Sequence, residues 1–240
     1  MGREFESVEE VAVDATPEQV WAAIATGPGI DSWFMGRNEV DPGQTVRMAF
    51  GGYTPTHTVS VWEPGKRLAY APEPAPDGRF VAYEFLIEGR DRSSTVLRVA
   101  TSGFLPGDDW ADEYDAMTKG NALFFRTLVA YLTHFAGRTA TPVTAFGPPV
   151  RDWSETRARL VTAIGLSDGT VRFTPPGLPP VEGVVYFEND DAIGIRADGA
   201  LYRFMRGFHG PIMACHHIFS GSTADEPWIS WLNDTFRDEV

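Results

Sequence analysis

Residues 108–135 constrain the chain most. Read at helical spacing, Trp110, Tyr114, Met117, Phe124, Leu128, Tyr131, Leu132 and Phe135 fall on one face, with Phe125 beside them. Steps of three and four persist for about seven turns, the signature of an amphipathic helix. Pro106-Gly107 breaks the preceding segment, Asp108 or Asp109 offers an N-cap, and Gly137 a stop. At 1.5 Å per residue such a helix is roughly 40 Å long, longer than a small domain is wide. A stripe of that length needs a partner along all of it, and the segments before it read as strands. A long helix against a curved sheet leaves room for a cavity. Two readings therefore stand for the aromatic residues: filled core or cavity wall.

The preceding segments support a sheet. Residues 5–13 alternate as a first strand. Thr16-Pro17-Glu18-Gln19 starts a helix: Thr16 caps the Gln19 amide, Gln19 reaches back, and Pro17 sits where its missing N–H costs nothing. Gly27-Pro28-Gly29 is expected to end that helix, with a second helical turn over residues 30–34. Val46, Met48 and Phe50 then share one strand face, as do His57, Val59 and Val61. Residues 68–70 form a short strand. Val81, Tyr83, Phe85 and Ile87 alternate, and Leu97 and Val99 follow. Period-two patterns separated by short polar turns predict an antiparallel meander with one buried face.

The order then recurs. Residues 139–150, with several prolines and glycines, read as a linker. Asp152 caps a new helix, with Glu155 three residues on, and Trp153, Thr156, Leu160, Val161 and Ile164 share its face. Strands are predicted at 170–173, 183–188, 192–196, 200–206 and 211–219, and a closing helix carries Trp228, Trp231, Leu232 and Phe236. The fold class is α+β, with a first domain over residues 1–138 and a second, shortened one over 151–240.

Charge narrows the function. The net charge of −13 argues against nucleic acid and anionic membranes as partners, because both call for cationic patches. Lys66 and Lys119 are the only lysines, so arginine supplies nearly all positive charge, which suggests a high-GC bacterial genome. The N-terminus lacks a signal-peptide pattern and no apolar run approaches bilayer-spanning length, so a cytoplasmic location is expected. Cys215 is the only cysteine, which excludes an intrachain disulfide and a zinc–thiolate cluster. Alternation in a strand puts Cys215 and His217 on one face and His216 on the other. The three cannot then share one metal, even with His209 nearby, and the Phe208-His209-Gly210-Pro211 turn reads as structural. No phosphate loop, nucleophile elbow, zinc-protease motif or nucleotide fingerprint occurs. No metal or cofactor is expected.

Three stretches of the first half carry a family resemblance. Val13-Asp14-Ala15-Thr16-Pro17-Glu18-Gln19-Val20-Trp21, with Ile30-Asp31-Ser32-Trp33-Phe34, looks like an opening strand and paired short helices. Trp62-Glu63-Pro64-Gly65-Lys66-Arg67-Leu68 looks like a hairpin turn. Residues 94–103 look like the last strand before the long helix. In this order they resemble the activator-of-Hsp90-ATPase-homologue branch of the START/Bet v1-like (SRPBCC) superfamily, whose fold is the helix-grip. That family often has Gly-Trp in the long helix, where this chain has Gly120-Asn121. The departure leaves that wall smaller or more polar. Such proteins usually end near the long helix, and a second, shortened helix-grip module would account for the remainder.

The resemblance implies a cavity between sheet and helix that takes a hydrophobic small molecule, polyketide, polyene or lipid-like. It supplies no universal catalytic motif, and some members occur with bacterial secondary metabolism. The inward faces offer Trp33, Phe34, Met48, Phe50, His57, Val59, Tyr83, Phe85, Phe104, Trp110, Tyr114, Met117 and Phe124 as ligand-binding candidates. His57 and Tyr83 are the polar handles that a cyclase or aromatase would use as an acid/base pair. A co-chaperone-like interaction module and a sacrificial resistance protein are the other readings.

Overall fold

The structure, a computed structural model, describes residues 2–89, 94–107, 110–207 and 210–237. The expected cap at Asp108 or Asp109 and the Phe208-His209 part of the later turn lie outside these. The chain divides into two compact units, residues 1–139 and 140–240.

In the first unit, β1 (Arg3–Val13) leads into α1 (Pro17–Ala25) and α2 (Gly27–Ile30). Thr16 and Gln19 form the expected capping box, with the Gln19 N–H donating to Thr16 Oγ1 at 3.3 Å and the Thr16 N–H to Gln19 Oε1 at 2.9 Å. The second helix comes earlier than its apolar residues suggested. Thr26 Oγ1 accepts from the Gly29 N–H at 3.0 Å, so Gly27-Pro28-Gly29 starts a turn instead of ending one. Gly29 is required there: a Cβ would lie 1.9 Å from the Ala22 carbonyl oxygen. Strands β2 (Arg37–Asp41), β3 (Thr45–Ala49), β4 (Thr56–Glu63), β5 (Arg67–Pro72), β6 (Phe80–Gly89) and β7 (Thr95–Leu105) follow as a meander. β7 returns to pair antiparallel with β1, giving the order β1-β7-β6-β5-β4-β3-β2. Then α3 (Trp110–His134) packs on β1 and β7. This is the helix-grip arrangement. The burial of α3 is uneven: Leu123, Phe124, Phe125, Leu128, Tyr131 and Leu132 are buried, whereas Trp110, Tyr114 and Met117 are half-buried.

The second unit repeats the plan with fewer parts. Its strands are β8 (Thr141–Pro149), β9 (Thr170–Phe173), β10 (Val181–Glu188), β11 (Ala192–Ala197), β12 (Ala200–Arg206) and β13 (Pro211–Ile218). A single helix, α4 (Trp153–Ala163), follows the first strand, and α5 (Glu226–Phe236) closes the unit. The order β8-β13-β12-β11-β10-β9 again pairs the first strand with the last. The segment expected as a linker is therefore mostly strand β8. Its prolines, Pro142, Pro148 and Pro149, are tolerated because β8 is an edge strand that needs a ladder on one side only. Val143 and Ala145 turn inward from it, as an alternating strand requires.

Gly147 lets α5 approach β8. A Cβ there would stand 2.7 Å from Ile212 Cγ2 and 3.0 Å from Leu232 Cβ. Gly147→Val is expected to destabilise the unit by about 1–3 kcal/mol through overpacking. The check is a fall in the urea midpoint of the full-length variant; an unchanged midpoint would show that α5 moves aside freely.

Candidate functional site

The candidate site is assembled by strand register. Ser7 lies opposite Thr101, Thr101 opposite Tyr83, and Tyr83 opposite Tyr70, so these four form one row across the sheet. The next row on that face is Glu9, Val99 and Phe85. Alternation turns both rows to the same side. Over them lie Thr118, Asn121, Ala122, Phe124, Phe125 and Leu128 of α3, and the turn after α2 adds Trp33 and Phe34. Trp33 is held in place by its indole N–H, which donates to the Ala23 carbonyl at 2.9 Å. The turn itself is pinned by Asp31, whose Oδ1 accepts from the Asn38 backbone N–H at 2.6 Å and from its Nδ2 at 3.0 Å. Burial raises the Asp31 pKa above the usual carboxylate range, against these bonds.

The cavity is about 50 Å³, room for a few waters. One end is aromatic. Phe34 lies 4.7 Å from Phe124, 5.2 Å from Trp33 and 6.3 Å from Tyr83, centroid to centroid. The other end is polar, with Ser7, Glu9, Thr101, Thr118 and Asn121. Thr118 Oγ1 and Asn121 Nδ2 are buried with no hydrogen-bond partner. A buried polar group left unpaired costs about 1–3 kcal/mol, so two of them in one cavity wall call for a reason.

Of the residues singled out from sequence, Trp33, Phe34, Tyr83, Phe85 and Phe124 line this cavity. Met48 is buried in β3 without reaching it. Phe50 pairs with Tyr53 in an isolated bridge. His57 and Val59 keep one face of β4, opposite Pro72 and Tyr70, and a bulge between Val59 and Val61 takes only Val61 out of that alternation. Phe104 packs near Gly78 at the far end of β7. Trp110 lies under the Arg3 guanidinium, Tyr114 stands edge-on to Phe5, and Met117 is half-buried. None of these eight lines the cavity. Tyr70, Glu9, Thr101 and Thr118 were not singled out, and Phe125 and Leu128 were read only as part of the helix stripe. Asn121 had one signal, its place where the family has tryptophan.

His57 packs against Tyr70 and Tyr83, with ring centroids 5.5 and 6.3 Å away. Burial holds its imidazole below the usual range, and its Nδ1 has no partner. Burial raises the Tyr83 hydroxyl to about 12 and pushes Tyr70 upward as well. All three are neutral at pH 7. The histidine that an acid/base pair would use therefore sits outside the lining.

The second unit has a larger, more open concavity of about 360 Å³, lined by Tyr202, Trp228, Glu182, Asp198 and the Pro179-Pro180 loop. Volume alone favours it, but none of its lining side chains holds a buried polar atom without a partner. Nearby, His216 is caged by Trp228, Tyr202 and Phe204, at 4.1, 4.9 and 5.2 Å. Cys215 is buried, and burial raises its thiol to about 11, so no thiolate nucleophile is present at neutral pH. No group of three or more His, Cys, Asp or Glu side chains placed to hold a metal occurs among the described residues. No helix among them is long and apolar enough to cross a membrane.

Residues 14–133 match the family model described as Activator of Hsp90 ATPase homolog 1-like protein. No curated protein matches the chain. Among solved structures, protein MLL2253 from Mesorhizobium loti is similar at 26% identity and a TM-score of 0.46, over 53% of this chain and 96% of that one. DynU16, from the dynemicin biosynthetic locus, is similar at 19% identity and a TM-score of 0.44, over 98% and 97%. The di-domain ARO/CYC BexL, from the BE-7585A biosynthetic pathway, is similar at 12% identity and a TM-score of 0.48, over 98% and 93%.

Proposed function

The chain belongs to the Activator of Hsp90 ATPase homolog 1-like family, and from that premise we propose that its first unit binds a hydrophobic small molecule between the sheet and α3. The observation that carries this is the cavity with aromatic walls at one end and two buried, unpartnered polar atoms at the other. A mostly apolar lining with a few convergent polar groups is what a small-molecule site needs. The cavity is too small for a polyketide, polyene or lipid-like ligand as it stands, since such sites run to several hundred Å³. Entry therefore requires Phe34 and Phe124 to swing apart.

Binding is the reading favoured over turnover because His57, the base of the acid/base pair read from the sequence, does not line the cavity. The setting is bacterial secondary metabolism. Thermal-shift and native mass spectrometry screens of the full chain against linear polyenes, aromatic polyketides and lipids test this. A ligand at a hundred times its Kd stabilises the folded state by about 2.7 kcal/mol, a readily measured rise in melting temperature. If no member of the three classes binds, the proposal fails.

A further inference from the structure

The polar end of the cavity is built from two elements that run side by side. The Arg3 guanidinium lies 4.8 Å from the Trp110 ring, and Phe5 is 5.6 Å from Tyr114. Four residues of helix advance about 6 Å, and two residues of strand about 6.6 Å. Keeping that pace, Thr118 comes level with Ser7, and Ala122, with Asn121 just before it, level with Glu9. Thr118 and Asn121 are three apart and so share a helix face.

The chemistry of this end is specific. Asn121 Nδ2 can only donate, Thr118 Oγ1 can donate or accept, and the Glu9 carboxylate accepts. No lysine, arginine or histidine lines the cavity. A carboxylate ligand would face Glu9 with no cation to balance it. A hydroxyl group suits all three: it accepts from Asn121 and donates to Glu9 or Thr118. Resting on the binding function proposed above, we infer that the ligand is a neutral phenol or similarly hydroxylated aromatic molecule, whose hydroxyl seats against Asn121, Thr118 and Glu9 while its rings replace the Phe34–Phe124 contact. The hydroxyl takes the position that a water would hold in the unliganded cavity.

Isothermal titration of the full chain with naphthalene, 2-naphthol and 2-naphthoate, all near pH 7, tests this. The expected order is 2-naphthol tightest, about tenfold over naphthalene, the worth of one or two hydrogen bonds, with 2-naphthoate weakest. Asn121→Leu keeps helix propensity and removes the donor. It is expected to erase the advantage of 2-naphthol over naphthalene. Glu9→Gln, on the edge strand, is expected to raise 2-naphthoate affinity severalfold by removing the like charge. If naphthalene and 2-naphthol bind equally, or 2-naphthoate binds tightest, the hydroxyl assignment is overturned while apolar binding stands. If none of the three binds and the wider screen is also silent, both are overturned.

Discussion

Trp228→Ala is expected to remove about 3–5 kcal/mol from the second unit, the range for truncating a large aromatic core residue. Trp228 is only 2% exposed. Besides His216, its ring meets Tyr202 at 5.5 Å, Phe204 and Trp231 at 6.2 Å and Phe173 at 6.4 Å. It therefore joins α5 to β9, β12 and β13 at once. Its ring neighbours Phe173, Phe204 and Trp231 are already packed on one another and so refill the space poorly. A domain of this size has about 5–15 kcal/mol in all, so the loss takes much of the margin. Hydrogen exchange on the full chain reads it directly: amides of β12 and β13 should lose protection by two or more orders of magnitude. A loss below tenfold would mean that α5 is not what holds this sheet.

The second large effect is acid sensitivity in the same unit. His216 Nδ1 accepts from the Arg203 backbone N–H at 3.1 Å, which requires that nitrogen to be unprotonated. Burial first, and the Arg203 guanidinium second, hold His216 well below the usual imidazole range. The unfolded chain takes up a proton near pH 6.5, while the folded unit does not. Stability is thus fully present above about pH 6.5 and falls as pH drops toward the folded pKa, at up to about 1.4 kcal/mol per pH unit. His57 adds the same sign in the first unit. Urea melts at pH 7, 6 and 5 measure the slope. His216→Gln keeps an acceptor that does not titrate in this range, and its slope should be shallower by the share of one histidine. An identical slope in the variant would remove His216 as the cause.

The periodic elements were legible because they are set by local rules. The capping box at Thr16 and Gln19, the apolar stripe of α3, the alternation of Tyr83, Phe85 and Ile87, and the face of α5 all follow from neighbours in sequence. The strand β8 was not legible, because prolines that break a central strand are harmless at an edge, and edge status is a property of the whole sheet. The Gly27-Pro28-Gly29 turn was misread because a Gly-Pro pair stops one helix and starts another equally well, and the Thr26 cap decides which.

The candidate site divides along the same line. The stripe of α3 named the residues that face the sheet, but not which turns lie above a gap. Trp110, Tyr114 and Met117 carry the same period as Phe124 yet sit before the cavity begins, alongside the start of β1. Tyr70 entered the site through its register with Tyr83, and His57, opposite Pro72 and so one row further along, packs against those two rings instead of lining the cavity. By itself, then, the sequence determined the fold class, the family and the inward faces, because periodicity and capping act within a few residues. Only the tertiary structure decided where the cavity lies and that its polar end is Glu9, Thr118 and Asn121, because that depends on how far α3 has travelled along β1 when each side chain arrives.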